Sequence, residues 1–170
     1  TSSLIDKSQT KHNLNVKRFL NYKNQKLKYK FPSFFNGTHS KINYNKNIRA
    51  AVIREKGINS EREMAYMLYL CGFDVKDVHM TDLVSGKENL EDIHMVVFPG
   101  GFSNSDVLGS AKGWAGVFKY NKNAKNAITN FYKRNNTLSL GVCNGCQLMM
   151  ELNLLYPELK NSHPKMKINK

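Results

Sequence analysis

The chain has 170 residues, 41% of them hydrophobic, and a formal net charge of +13. That length holds about one domain with a packed core, and no apolar run approaches the ~18 residues needed to cross a bilayer or resembles the core of a signal peptide. Residues 1–49 carry eleven Lys/Arg and one acid, Asp6, whereas residues 50–170 carry fifteen and twelve, so the excess charge belongs to the N-terminal segment and gives the folded part no strongly basic face for nucleic acid.

Residues 1–48 read as an extended or irregular basic Lys/Asn-rich linker, or the tail of a preceding domain. Val16, Phe19 and Leu20 fit one helical turn, but Leu14 and Tyr22 do not extend the spacing. Phe31-Pro32-Ser33-Phe34 and Asn36-Gly37 punctuate like loop. The pattern changes near residue 49, where a second region, 49–170, begins. Ala50–Ile53 is a short apolar run and reads as a strand. Ser60 and Glu63 stand at capping-box spacing. Met64, Met67, Leu68 and Cys71 follow at helical spacing, and Gly72 sits where a helix stops. Phe73–Val78 is a second strand candidate. Met95–Phe98 is continuously apolar, as in a strand buried on both faces. Ala124–Tyr132 reads as a helix with Ala127, Ile128 and Phe131 inward. Thr137–Val142 is another strand and Gly145–Leu154 another helix. Strands alternating with helices predict an α/β fold, a parallel sheet with helices on both faces. Ligands collect beyond the carboxyl ends of such strands.

Two unusual peptides stand at those ends. The first is Gly141-Val142-Cys143-Asn144-Gly145-Cys146-Gln147. A strand runs into Cys143 and a helix starts directly after it, the layout of a nucleophile elbow. The turn needs small neighbours, which Gly141 and Gly145 supply. The free N–H groups of the helix N-terminus favour negative charge there and suit a developing oxyanion. The second peptide is Pro99-Gly100-Gly101-Phe102, directly after the Met95–Phe98 run. Paired glycines let the backbone approach a ligand, and an N–H there would face the same sheet edge as Cys143. Cys146 reads as an ordinary small core residue. Cys143 and Cys146 also form a C-x-x-C, so a thiol redox module stays open as an alternative. The three cysteines do not form a disulfide framework, which suits a reducing, cytoplasmic setting. No second Cys/His pair stands at ligand spacing, so no metal site is expected.

Gly-Gly after one strand and G-x-C-x-G-x-Q after the next resemble the class I glutamine amidotransferases. Arg54-Glu55, Gly57, Asn59, Glu63-Met64-Ala65, Cys71-Gly72-Phe73, Asp77-Val78, Met80, Asp82-Leu83 and Gly86 extend the likeness. So do Gly101-Phe102-Ser103, Asp106–Ala115 and Leu140–Gln147. Together they are similar to the amidotransferase end of the formylglycinamidine ribonucleotide synthases, over roughly residues 49–152. The family places an aromatic and a small residue where this chain has Asn104-Ser105.

The resemblance implies a flavodoxin-like fold. It implies Cys143 as the nucleophile that forms a glutamyl thioester. Gly100 or Gly101, with the N–H of Asn144, would form the oxyanion hole, and Gln147 would help shape the glutamine pocket. The partners implied are glutamine and a synthetase domain of the same polypeptide. No cofactor is expected here, since ATP and magnesium belong to that synthetase body; no nucleic acid or membrane partner is expected. An inactive regulatory relative is a further alternative.

The family's catalytic His and Glu lie far downstream of the nucleophile, and only 27 residues follow Cys143. The domain is therefore expected to be C-terminally incomplete and inactive by itself. Among the five histidines, His12 and His39 lie in the linker-like segment and His94 at the entrance of a strand. His163 belongs to a stretch resembling the one soon after the elbow helix. His79 stands at the correct sheet edge but reads as structural.

Overall fold

The computed structural model describes residues 9–23, 28, 30–34, 36–37, 48–156, 158–159 and 163–165. The chain divides into two units, Thr1–His39 and Ser40–Lys170.

In the first unit, Gln9–Leu20 forms a helix, α1. This corrects the expectation of irregular backbone. Its Gln, Lys, Arg and Leu residues are good helix formers, and Lys17 and Arg18 in the last turn complement the helix dipole. The unlined apolar pattern has its own consequence: the helix buries none of its residues, and Phe19 is 80% exposed. His39 and most of the Lys/Asn-rich stretch that follows lie outside the described residues.

The second unit runs β1 (Arg49–Arg54), β2 (Ile58–Asn59), α2 (Glu61–Leu70), β3 (Asp74–His79) and α3 (Met80–Ser85). It continues through β4 (Met95–Phe98), β5 (Gly100–Gly101) and a 3-10 turn (Ser103–Asp106) to α4 (Lys112–Tyr120), α5 (Lys122–Lys133), β6 (Leu138–Gly141) and α6 (Asn144–Glu151). The four longer strands form one sheet in the order β3-β1-β4-β6, every neighbouring pair parallel. This is the expected α/β, flavodoxin-like arrangement. The order steps back from β3 to β1 and then forward to β4, so the switch point lies between β1 and β4.

Burial explains which runs became central. Ala50–Ile53 and Val96–Phe98 are at most 1% exposed, covered on both faces. On one face, Ala51, Ile53, Val96 and Phe98 meet Leu83, Trp114, Phe118, Phe131 and Leu148 from α3 to α6. Phe98 sits edge-on to Trp114 and to Phe118, with centroids 5.9 and 6.2 Å apart, a geometry worth about 0.5–1.5 kcal/mol per pair beyond burial itself. On the other face, Ala50, Val52 and Val97 pack against Leu68 of α2. Edge strand β6 alternates instead, with Leu138 69% exposed.

Two expectations about α2 are corrected. Ser60 precedes the helix but makes no side-chain cap bond, because its φ of 68° and ψ of 21° place it in the left-handed region rather than the extended backbone a capping box uses. The buried stripe is Leu68 with half-buried Met64 and Ala65, while Met67 is 52% exposed and Cys71 is exposed. Gly72 ends the helix with φ of 90°, as expected. Helices α3 and α4 and the β2–β5 pair were not legible beforehand.

Parallel strands deliver their carboxyl ends to one edge. Three peptides therefore meet there: residues 55–59 after β1, 99–106 after β4 and 142–147 after β6.

Candidate active site

Cys143 stands between β6 and α6 with φ of 51° and ψ of −110°. A non-glycine residue holds such a conformation only where its surroundings enforce it. Here Gly145 N–H donates to Val142 O at 2.8 Å, Val142 N–H to Phe98 O at 3.0 Å and Gln147 N–H to Cys143 O at 3.1 Å. The elbow is thus bonded to the end of β4 on one side and to its own helix on the other. Gly145 makes the turn possible: a Cβ there would lie 1.9 Å from Phe98 O. The Cys143 side chain remains exposed, while its neighbour Asn144 is fully buried. A first-turn N–H such as that of Asn144 has no partner within its own helix.

Gly100 comes directly against the thiol. An added Cβ would sit 3.1 Å from Cys143 Cβ and 3.9 Å from Sγ. The structure therefore brings Gly100, Gly101, Cys143, Asn144 and Gln147 to one edge. Cys146, three residues on, is half-buried in α6.

The side chain of Asn144, whose part the sequence did not reveal, joins the two loops. Its Oδ1 accepts from Ser103 N–H at 3.1 Å, and its Nδ2 donates to Asp106 Oδ1 and to Gln147 Oε1, each at 3.1 Å. Asp106 Oδ1 also accepts from Ala111 N–H at 3.2 Å. Asn104, Ser105 and Asp106 all have φ between 50° and 54°, so this loop is wound tightly beside the elbow. Asn104 lies against the start of α4: a Cβ on Gly113 would be 2.7 Å from its Oδ1. The only advance sign was that Asn and Asp tolerate left-handed backbone.

The three described histidines of the second unit have other partners. His79 caps α3, its Nδ1 accepting from Thr81 N–H at 3.2 Å. His94 Nδ1 accepts from Arg49 N–H at 3.2 Å, at the opposite sheet edge. His163 is 3% exposed and its Nε2 accepts from Tyr156 N–H at 3.2 Å. Among the described residues, no group of three or more His, Cys, Asp or Glu side chains could hold a metal ion. No described helix is long and apolar enough to cross a membrane.

A family model for the CobB/CobQ-like glutamine amidotransferase domain matches residues 47–170. The chain belongs to this family. The amidotransferase is also similar to a chain in the structure of PurLQS from Thermotoga maritima, with 29% sequence identity and a TM-score of 0.52. That likeness covers 64% of this amidotransferase and 45% of the other chain.

Proposed function

We propose that this amidotransferase domain is the glutaminase part of a cytosolic formylglycinamidine ribonucleotide synthase. The observation that carries the catalytic part is the conformation of Cys143, held exposed at a strand-to-helix turn with the Gly100 backbone against its thiol. The likeness to PurLQS and the motifs after β1, β4 and β6 support the purine-synthesis assignment.

Glutamine binds at the carboxyl edge of the sheet. The Cys143 thiolate attacks the side-chain amide carbon, forming a C–S bond and an oxyanion. Backbone N–H groups of Gly100 or Gly101 and of Asn144 hold that oxyanion. The C–N bond breaks, ammonia leaves with an added proton, and water cleaves the thioester to release glutamate and the free thiol. Gln147, fixed by Asn144 at 3.1 Å, borders the substrate. The ammonia passes to a synthetase domain of the same polypeptide, which uses ATP and magnesium to convert formylglycinamide ribonucleotide to the amidine. Residues 1–48 belong to the connection with that body, and residues 49–170 to the amidotransferase domain.

The test is glutamine hydrolysis by the polypeptide that carries this sequence. Cys143→Ala is expected to abolish ammonia release and the glutamyl thioester while ammonia itself still drives synthesis. Persistence of glutamine-driven synthesis in that variant would refute the reading. Residues 1–170 by themselves are expected to show little turnover, because His79, His94 and His163 each hold another partner and the leaving ammonia needs a proton donor. Sustained, Cys143-dependent ammonia release from these residues alone would overturn that expectation.

A further inference from the structure

The peptide against the thiol is itself held by the segment after β1. Phe102 N–H donates to Gly57 O and Asn104 N–H to Lys56 O, each at 2.8 Å. Strand β2 pairs antiparallel with β5, placing Ile58 opposite Gly101 and Asn59 opposite Gly100. The fit leaves no room. A Cβ on Gly57 would lie 2.2 Å from Phe102 O, and a Cβ on Gly101 would lie 2.6 Å from Asn59 N and 2.7 Å from Gly57 O. Gly57 also has φ of 84°, and Gly101 of 114°, where a side chain is strained in any case. Behind this strap, Ile58 packs on the main core and Ile58 N–H bonds Glu55 O at 3.3 Å. At its base, Arg54 forks onto Asp77 of β3 through bonds of 2.5 and 2.8 Å. Gly100 thus has Cys143 beside it and Asn59 of the strap opposite it in the β2–β5 pair.

We infer that Gly57 is a positioning residue, and that the strap Lys56–Asn59 sets the direction of the backbone donor beside Cys143. Side chains of the strap need not touch substrate. Moving the Gly100–Phe102 peptide would misdirect an N–H aimed at a developing oxyanion and leave the thiol, which rides on β6 and α6, in place. This inference rests on the amidotransferase reading, in which that peptide supplies an oxyanion donor.

Two reagents separate the effects in the full polypeptide, with labelling of Cys143 followed by mass. One is a chloroketone analogue of glutamine, whose ketone oxygen occupies the oxyanion position. The other is an alkyl thiosulfonate, which has no carbonyl and reports only the thiol. Gly57→Ala is expected to slow the chloroketone at least about tenfold, since losing an oxyanion donor outright costs ~10²–10³-fold, with thiosulfonate labelling unchanged. An equal change with both reagents, or none with either, overturns the inference. If Gly57→Ala does not fold, Ile58→Ala loosens the same strap at its anchor. It is expected to show the same selective loss in smaller degree, and an unselective one again overturns the inference. If the unsubstituted protein reacts with thiosulfonate but not with chloroketone and releases no ammonia from glutamine, the amidotransferase reading itself fails.

Discussion

At the scale of single residues, glycines report how closely backbone meets backbone around the elbow. Gly145 and Gly116 make a direct comparison, since both lie in helices and only one is crowded. Alanine has the better helix propensity by roughly 0.5–1 kcal/mol. At Gly116 an added Cβ meets nothing within 4 Å, so Gly116→Ala is expected to stabilise the domain by about that amount. At Gly145 the same methyl would lie 1.9 Å from a carbonyl oxygen of the central strand. Overpacking of a tight interior costs about 1–3 kcal/mol, and the obstacle here is backbone, so Gly145→Ala is expected at the upper end of that range or beyond. Denaturant midpoints of the two variants check this; a stabilised Gly145→Ala would mean that α6 is not seated on β4 as described. The sequence pointed to Gly145 as a small neighbour of Cys143. It could not reveal Asn144 as a side-chain bridge, because its partners Ser103 and Asp106 stand 41 and 38 residues away.

At the scale of elements, the same limit divides what was legible from what was not. Met95–Phe98 matches its strand because four consecutive apolar residues have few alternatives in a doubly covered sheet. Helix α5 was legible because Ala127, Ile128 and Phe131 mark one face. Helix α4 was not: Lys112-Gly113-Trp114-Ala115-Gly116 opens with two glycines, and its burial comes from aromatic contacts with Phe98 and not from propensity. The loop between α3 and β4 is held by Arg134, which donates to the carbonyls of Leu90, Glu91 and Ile93, by Arg49 on Asp92, and by a buried carboxylate that periodicity cannot reveal. Glu88 is 7% exposed, pairs with Lys76 of β3, and accepts from Asn89 N–H at 3.0 Å and Leu90 N–H at 2.9 Å. Burial alone would push this carboxyl up, but the hydrogen bond from Lys76 and the two N–H groups outweigh it and hold Glu88 below its ordinary value of 4.5. A depressed folded value means that the ionised form stabilises the fold. That contribution is fully present above pH 4.5 and is lost as pH falls through the lower folded value. Glu88→Gln is therefore expected to cost about 1–2 kcal/mol at neutral pH, with the gap to the unsubstituted protein closing under acid. Urea midpoints across pH measure this, and a gap independent of pH would show that Glu88 acts by shape alone.

At the scale of the molecule, the site exists only because three peptides far apart in the chain arrive at one sheet edge. No local segment holds it: the strap comes from residues 56–59, the glycine turn from 100–106 and the thiol from 143. Backbone bonds join the strap to the turn, the Asn144 side chain joins the turn to the elbow, and Gly100 packs beside Cys143. Phe98 shows the coupling, with its ring against Trp114 and its carbonyl oxygen against Gly145. Trp114 is the sole tryptophan of the chain and is fully buried, so its fluorescence reports the core one layer beneath the elbow. A site built this way is expected to disappear with the core in a single cooperative transition. In increasing urea, selective labelling of Cys143 by the glutamine chloroketone and the buried Trp114 signal should be lost at the same midpoint. Loss of selectivity at clearly lower urea would mean that the loops melt as a local unit over an intact sheet. The left-handed turn at Asn104–Asp106 would then be the place to look, since it is held to the elbow through the Asn144 side chain.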